Sequence, residues 1–151
     1  MKRTLLRSKD VEAELQPYGV LLSKKDQVEV IKDDGRKLLL INHQPAFFYY
    51  KTKPIPTLRY LQNHILVKNV TIDMGAVPFL VKGADVMRPG IVEIEAGINK
   101  DDVVAIIDQN HKKPLAVGIA LFNTAEMRSL ASGKVIKNIH YVGDEIWRME
   151  V

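Results

Sequence analysis

From Ala76 onward, short apolar runs alternate with glycine and asparagine turns, and this spacing limits the possible folds more than any other feature. The runs with the length and composition of strands are Phe79–Lys82, Ile91–Glu95, Val103–Asp108, Leu115–Phe122, Val135–Lys137 and Glu145–Met149. One helix is predicted among them at Thr124–Ser132, with Asn123 or Thr124 as its N-cap. Because so many short strands would expose sheet edges unless the sheet closed, the pattern predicts a small, mostly β barrel.

The first half of the chain has the pattern of a small mixed α/β domain. Its predicted elements are a strand at Thr4–Arg7, a helix capped by Ser8 or Asp10 and ended by Pro17 and Gly19, strands at Val28–Lys32, Lys37–Asn42 and Ala46–Lys51, a helix begun by Pro56-Thr57, and a strand at Val67–Ile72. Asp34-Gly35 predicts a hairpin, since both residues tolerate positive φ. Pro54 and Pro56 should break the strand before them. Leu58, Leu61 and Ile65 recur at helical spacing.

The two patterns meet near residue 73, and we expect two domains, an α+β domain over residues 1–73 and a mostly β domain with short helices over residues 74–151. They share the net charge of +4 unequally. Residues 1–73 hold 13 Lys and Arg against 8 Asp and Glu, whereas residues 74–151 hold 9 against 10. A pI near 9.2 favours an anionic partner, and nucleic acid is the first candidate.

The composition excludes several functional classes. The chain has no cysteine, which excludes disulfide frameworks, cysteine nucleophiles and thiolate zinc sites. Apolar runs such as Leu115–Phe122 are far shorter than the roughly 20 residues that cross a bilayer. Charges at Arg7, Lys9 and Asp10 interrupt any secretory signal. We therefore expect a cytoplasmic protein with no membrane partner.

No motif of a reaction centre is present in the sequence. The four histidines, His43, His64, His111 and His140, lie at no metal-binding spacing from one another. The paired carboxylates Asp33-Asp34 and Asp101-Asp102 lie in turn contexts, where aspartate bonds the backbone. We therefore expect no enzymatic activity, no metal and no cofactor.

The most informative segment runs from Lys82 to Ile91, between two predicted strands. Gly83 and Gly90 permit backbone conformations that bulkier residues resist, and Pro89-Gly90 is typical of a tight turn. Asp85 is predicted to cap a single helical turn, with Val86 facing inward and Arg88 outward. Such a turn across a barrel mouth would offer exposed backbone N–H groups and a helix end to phosphate oxygens.

This segment resembles the signature of the PUA domain, an RNA-binding pseudobarrel. The family pattern is Gly-Ala, two residues, Leu or Met, one residue, and Pro-Gly-Ile or Val, and residues 83–91 supply each element. Pro114–Ala120 resembles the family's central strand, and Ala131–Val135 resembles its glycine-lysine strand entry. The resemblance implies an RNA-binding pseudobarrel in the second half.

Further residues narrow the resemblance to one group of PUA proteins. These are Pro56–Leu61, Asp73–Ala76, Asn138–Tyr141, Asp144 and Trp147. They resemble the malignant-T-cell-amplified-sequence (MCT-like) translation proteins, which join a pre-PUA domain to a PUA domain, as does the N-terminal part of ligatin. A compact, basic, cysteine-free chain resembles an archaeal stand-alone relative. The implied fold class is an α+β pre-PUA domain followed by a mostly β PUA pseudobarrel with short helices.

In PUA domains the RNA face combines the glycine-bounded turn, the strand after it and the last strand. Carried over to this chain, the resemblance implies RNA binding by Lys82, Gly83, Ala84, Asp85, Arg88 and Arg148. Lys82 and Arg88 would contact phosphates, with Arg88 able to bind in a bidentate manner. Val86 and Met87 are expected to pack inside. Trp147 is either a core residue or a platform for a base, and Arg148 alternates to the opposite face of its predicted strand.

A second contact is predicted in the first half, where aromatic and basic residues alternate. Alternation places Phe47 and Tyr49 on one face of a strand and Phe48 and Tyr50 on the other, and one of these faces must be core. The other face could present aromatics beside lysines to RNA or protein. The residues of this possible second contact are Tyr50, Lys51, Lys53 and Arg59.

The resemblance implies a non-catalytic RNA-binding protein that acts in translation initiation or ribosome recycling. Its partner would be a tRNA acceptor end or small-subunit rRNA, with a translation-initiation-factor-like protein as a possible protein partner. The alternative is an RNA-targeting subunit of a tRNA-modifying enzyme, such as an archaeosine transglycosylase system. Both readings require RNA to bind at the Lys82–Gly90 segment.

Overall fold

The computed structural model describes residues 2–149, which divide into two compact units. Residues 2–66 form the first unit together with Met149, and residues 67–148 form the second. The predicted domain limits, 1–73 and 74–151, stay a prediction, while the contacts assign the strand at Lys68–Ile72 to the second unit. None of the helices within these residues is long and apolar enough to cross a bilayer.

The first unit contains a five-stranded antiparallel sheet whose spatial order follows the sequence, β1-β2-β3-β4-β5. The strands are β1 (Lys2–Leu6), β2 (Val28–Asp33), β3 (Arg36–Ile41), β4 (Gln44–Tyr50) and β5 (Lys53–Pro56). The helices are α1 (Ser8–Glu14), a 3₁₀ turn at Gln16–Tyr18 and α2 (Leu58–Leu61). Val11 and Leu15 are buried with Val28, Leu39 and Phe47, which makes an aliphatic and aromatic core.

Three hairpins connect β2 to β5, and the first is the predicted one. Asp34 and Gly35 have φ values of 49° and 75°, which both central residues of a type I′ turn require. The other two hairpins turn at Asn42-His43 and at Lys51-Thr52, and all four of these residues have positive φ. Pro54 and Pro56 lie in β5 and do not end the sheet, because β5 is an edge strand whose missing N–H groups leave the ladder intact. The strand before them, β4, does end at Tyr50, but β5 has no counterpart among the predicted strands.

Two helix details also differ from the predictions. Arg7 is the N-cap residue of α1 and makes no side-chain capping bond, so neither Ser8 nor Asp10 caps the helix. Thr57 caps α2 as expected, but the helix ends at Leu61, and Ile65 lies beyond it, 98% exposed. One turn of helix is too short to reach the third residue of that spacing.

The second unit contains a six-stranded mixed sheet in the order β7-β11-β10-β9-β6-β8. Its strands are β6 (Lys68–Ile72), β7 (Val86–Met87), β8 (Ile91–Ile94), β9 (Val103–Asp108), β10 (Pro114–Ala120) and β11 (Lys134–Tyr141). The helices are α3 (Val77–Leu80), a 3₁₀ turn at Arg88–Gly90, α4 (Thr124–Ser129) and α5 (Glu145–Arg148). Among the strands within residues 67–148, β6 and β9 pair in parallel and the other pairs are antiparallel. The expected fold class is confirmed, a nearly closed pseudobarrel after an N-terminal sheet region.

The interior of this barrel is aliphatic, with Ile72, Ile106, Met127 and Ile136 almost completely buried. Gly118 lies where two strands approach closely. A Cβ atom placed on it would lie 2.5 Å from Ile136 Cγ2 and 2.8 Å from the Lys137 carbonyl oxygen. Only glycine fits this position without a shift of the backbone.

Two predicted strands of the second half are helices. Phe79–Lys82 lies in and after α3, where Pro78 occupies the first turn and favours helix. Glu145–Met149 contains α5, which begins where the Asp144 carboxylate accepts the backbone N–H of Trp147. A short apolar run has no periodicity that separates strand from one turn of helix, so local capping decides. The helix at α4 is confirmed, with Asn123 and Glu126 forming a capping box.

Candidate nucleic-acid interface

The segment Lys82–Gly90, called the glycine bend below, begins where α3 ends. Gly83 N–H donates to the Leu80 carbonyl oxygen at 3.0 Å, and Ala84 N–H donates to that of Phe79 at 3.1 Å. This pair of bonds is a Schellman ending, which needs a left-handed residue, and Gly83 has a φ of 97°. A Cβ atom there would lie 3.2 Å from the Tyr141 ring, so the position is also crowded.

The same bonds overturn one expectation about the glycine bend. The N–H groups of Lys82, Gly83 and Ala84 all donate within the chain and cannot also receive a phosphate. The bend follows the C-terminal end of α3, which carries the negative end of the helix dipole. Phosphate binding here would therefore depend on side chains, and Lys82 is exposed.

Asn138 of β11 fastens the glycine bend to the barrel. Its side-chain Nδ2 donates to the carbonyl oxygens of Leu80 and Ala84, both at 3.0 Å. Its backbone N–H donates to Asp85 Oδ1 at 2.9 Å, and Asp85 Oδ2 lies 3.3 Å from Lys134 Nζ. The Asp85 carboxylate therefore binds two residues of β11, Lys134 and Asn138, and does not cap a helical turn. The predicted role of Asp85 as a helix cap was wrong.

Arg88 is half-buried and bonds to the backbone of its own unit. Its Nε donates to the Met127 carbonyl oxygen at 2.7 Å, and one terminal nitrogen lies 3.4 Å from that of Ile91. The expectation that Arg88 faces outward was wrong, because its guanidinium group donates to a backbone carbonyl oxygen in the last turn of α4. A contact between Arg88 and RNA stays a prediction.

An open apolar cleft of about 520 Å³ lies along the glycine bend. It is lined by Ile72, Asp73, Gly75, Ala76, Phe79, Leu80, Ala84, Asp85, Val86, Met87, Pro89 and Gly90. Phe79 is 67% exposed and Met87 is 50% exposed, although both are apolar. Val86 is buried as expected, but the prediction that Met87 packs inside was wrong, because residues alternate in β7.

The chain end of this unit is organised by Asp144. Its carboxylate accepts the backbone N–H groups of Tyr141 and Trp147 at 2.9 and 2.8 Å, and lies 2.8 Å from Nδ1 of the buried His140. Burial alone would raise the pKa of Asp144, but the hydrogen bond and charge of His140 and the two backbone bonds hold it below its ordinary value.

Helix α5 places Trp147 and Arg148 differently from the predicted strand. Trp147 is half-buried, and Arg148 is exposed, with its Nε 3.3 Å from the Asp144 carbonyl oxygen. They do not alternate across a sheet, because both belong to one turn of helix. Across residues 2–149, no hydrogen bond or ion pair connects Arg148 to the glycine bend.

The residues of the possible second contact lie at the Lys51-Thr52 hairpin and in α2 of the first unit. Lys51, Lys53 and Arg59 are exposed, whereas Tyr50 is half-buried. Lys51 Nζ lies 5.5 Å from the Tyr50 ring centroid. Phe47 and Phe48 are both buried, so neither face of β4 is wholly free, contrary to the expectation of one open aromatic face.

Sequence reasoning missed three residues of the glycine bend region, namely Phe79, Met87 and Asn138. Phe79 was assigned to a strand and Met87 to the core. Asn138 had a visible signal, since an amide interrupts the apolar pattern between Ile136 and Ile139. No cluster of three or more His, Asp or Glu side chains that could hold a metal occurs within the part of the chain that the structure describes.

Comparison with protein families and curated sequences gives matches along the whole described chain. The model of the PUA domain matches residues 68–142, and a domain of unknown function (DUF1947) matches residues 2–64. An uncharacterized protein of Methanocaldococcus jannaschii is 44% identical over 157 residues, which cover 99% of this chain and 97% of the relative. Translation machinery-associated protein 20 of Saccharomyces cerevisiae is 32% identical, covering 87% and 77%. Malignant T-cell-amplified sequence 2 of Mus musculus is 29% identical, covering 90% and 79%.

Solved structures agree with these matches. A hypothetical protein of Pyrococcus horikoshii is 34% identical with a TM-score of 0.82, covering 97% of this chain and 98% of the other. A PUA domain protein of Aeropyrum pernix, solved as a tartrate complex, is 26% identical with a TM-score of 0.86, covering 97% and 89%. A chain of an H/ACA ribonucleoprotein bound to a substrate RNA is 26% identical with a TM-score of 0.52, covering 64% and 29%.

Proposed function

Because this chain belongs to the PUA-domain family that includes translation machinery-associated protein 20 and the malignant T-cell-amplified sequences, we propose that it is a non-catalytic RNA-binding protein of the translation machinery. Its RNA is a tRNA acceptor end or small-subunit rRNA, and it acts in initiation or ribosome recycling in the cytoplasm. A translation-initiation-factor-like protein is its proposed protein partner.

The observation that carries this proposal is the apolar cleft along the glycine bend, a segment that also contains the exposed Lys82. Phe79 and Met87 offer apolar surface to water, and Lys82 supplies a cation three residues after Phe79 in the sequence. A single-stranded RNA end presents the same pair of features, an unstacked base and a phosphate. The resemblance to a chain of an RNA-bound ribonucleoprotein supports RNA as the ligand.

The residues predicted from the sequence take different parts in this proposal. Lys82 contacts a phosphate, while Gly83 and Ala84 keep bulk away from the approaching strand. Asp85 and Arg88 hold the bend in shape through their bonds to Asn138 and Met127, and Arg148 adds a second cation. In the first unit, Tyr50, Lys51, Lys53 and Arg59 form a separate contact with RNA or protein.

The test is binding of tRNA by Lys82→Gln and Phe79→Ala variants across a salt series. Lys82→Gln should reduce the slope of log affinity against log salt by about 0.7–0.9, the value for one phosphate contact. Phe79→Ala should weaken binding by about 1–3 kcal/mol without changing the slope, since base stacking is not ionic.

Matched controls are Lys100→Gln, at an exposed lysine of the same unit, and Val92→Ala, at an exposed apolar residue outside the cleft. Both should bind as the wild type does. If Lys82→Gln and Phe79→Ala also match the wild type, the glycine bend is not the RNA site.

The second candidate function is an RNA-targeting subunit of a tRNA-modifying enzyme, such as an archaeosine transglycosylase system. It is favoured by the structural match to one chain of a substrate-bound ribonucleoprotein. The match covers 29% of that chain, so the similar fold is one part of a larger protein there. Affinity purification from cells separates the two. Recovery of a modifying enzyme without ribosomal subunits supports the second candidate, and recovery of the small subunit supports the first.

A further inference from the structure

Three lysines form a row across the first sheet, on β1, β2 and β3. The strand register places Lys2 opposite Lys32, and Lys32 opposite Lys37. All three are exposed, and they line one cleft of about 230 Å³ with Thr4, Leu6 and Val30. Adjacent strands lie about 4.8 Å apart, so the three side chains leave the sheet side by side. We call these residues the lysine row.

The lysine row is not neutralised by the protein itself. Like charges directly opposite each other destabilise an antiparallel pair, and here two such pairs occur in succession. Within residues 2–149, no ion pair of 4.0 Å or less includes Lys2, Lys32 or Lys37. The positive charges are therefore available to a ligand.

The nearby acids are directed elsewhere. Glu29 and Asp33 alternate with Lys32 along β2 and so leave the opposite face of the sheet. Glu29 lies 3.7 Å from Arg3 Nε and 3.2 Å from His43 Nδ1. On the face of the lysine row, the Glu14 carboxylate accepts a hydrogen bond from the hydroxyl group of Tyr49. None of these carboxylates pairs with the row.

Tyr49 extends the row on β4. Lys37 Nζ lies 4.1 Å from the centroid of the Tyr49 ring, a cation–π contact that holds the ammonium group in place. Burial, together with the bond to Glu14, raises the pKa of Tyr49, so its hydroxyl remains neutral and adds no negative charge. The row therefore has one cation held against an aromatic ring, that of Lys37.

We propose that the lysine row binds consecutive phosphates of an RNA strand, at a site distinct from the glycine bend and from the residues Tyr50, Lys51, Lys53 and Arg59. Cations repeated at strand spacing match a polyanion whose charges are also repeated. The cleft is smaller than the roughly 300–1,000 Å³ of small-molecule pockets, so it suits phosphate groups better than a whole ligand. The choice of RNA rests on the proposed function, whereas the anion site rests on the row itself.

The test compares two triple variants that lose the same charge from the same unit. One replaces the row, Lys2→Gln, Lys32→Gln and Lys37→Gln. The control replaces exposed lysines outside it, Lys9→Gln, Lys24→Gln and Lys25→Gln. Binding of tRNA is measured across a salt series. The row variant should reduce the log–log slope by up to about 2.7, which corresponds to three phosphate contacts at about 0.9 each, and the control should change it far less.

Two further readouts separate this site from simpler explanations. Without RNA, the row variant should unfold at an equal or higher temperature than the wild type, because the lysine repulsion is gone. Polyglutamate at matched charge concentration should displace little tRNA from the wild type. Equal slopes for the two triple variants would mean that the row makes no specific contact with the phosphates, and full displacement by polyglutamate would mean that any polyanion binds; either result overturns the proposal.

The readout for the glycine bend is independent. Lys82→Gln should change the preference for intact over 3′-truncated tRNA, whereas the row variant should weaken both RNAs equally. If the Lys82 prediction fails while the row variant still loses its slope, the anion site stands and the proposed end recognition does not.

Discussion

At the scale of single residues, Asn138 connects the barrel to its candidate RNA face. Its side-chain nitrogen donates to the carbonyl oxygen of Leu80 in α3 and to that of Ala84 in the glycine bend. The backbone N–H of the same residue donates to the Asp85 carboxylate. The shape of the bend therefore depends on a side chain that lies 48 or more residues later in the sequence. That distance explains why sequence reasoning about the bend alone could not identify its support.

Replacing Asn138 by aspartate should destabilise the protein by about 2–3 kcal/mol. The change removes both donated bonds and places a carboxylate against two carbonyl oxygens. Urea unfolding measures the loss. Asn110→Asp, at an exposed turn, is the matched control and should leave stability within about 0.5 kcal/mol of the wild type. An unchanged midpoint for the Asn138 variant would show that the bend is held by other contacts.

Gly118 makes a second prediction at this scale. Gly118→Ala should lower the free energy of unfolding by about 1–3 kcal/mol, because the new methyl group overlaps Ile136 and the Lys137 carbonyl group. Gly75→Ala is the control, since its Cβ atom would meet only Asp73 Oδ1, at an ordinary 3.4 Å. Thermal unfolding of both variants measures the difference. Equal stability of the two would contradict the close approach of β10 and β11.

At the scale of elements, the Asp144 network makes α5 sensitive to acid. The folded-state pKa of Asp144 is depressed, so its stabilising effect is complete above about pH 4 and is lost as the pH falls through the folded-state pKa. Asp144→Asn should therefore flatten the decline of unfolding free energy between about pH 5 and pH 2. Urea unfolding at each pH measures this slope. Asp34→Asn, in the exposed hairpin turn, should leave the decline unchanged.

The elements that sequence reasoning predicted correctly carry a signal of their own. Asp34-Gly35 determines a turn type, and Asn123 with Glu126 determines where a helix starts. Both features can therefore be predicted from a few neighbouring residues. The segments at Phe79 and Glu145 are one turn long, and their apolar residues fit a strand equally well. The turn at Phe79 is bonded by Asn138, 58 residues after Leu80, a contact that exists only in the folded barrel. The turn at Glu145 starts where the Trp147 N–H group donates to the neighbouring Asp144 carboxylate, a local cap that the apolar pattern does not reveal. The candidate site was located from its motif, but the roles within it required the structure.

At the scale of the whole molecule, the uneven charge distinguishes the two kinds of RNA contact that we propose. The excess of basic residues lies in residues 1–73, whereas residues 74–151 are nearly neutral. Contacts made by charge alone weaken steeply with salt, and contacts with a base do not. The preference for intact over 3′-truncated tRNA should therefore rise between about 50 and 200 mM salt. Competition binding measures the ratio, and a ratio that falls with salt would contradict the proposal.

The order of strands has a consequence for how the chain is made. In the first sheet each strand pairs with its neighbour in sequence, so the sheet can form as soon as residue 56 is available. In the second, β6 pairs with β9 and β7 with β11, which come more than 30 and more than 40 residues later. Pairings this remote form slowly. During synthesis, the first sheet can assemble on the emerging chain, while the barrel must wait until β11 has left the ribosome.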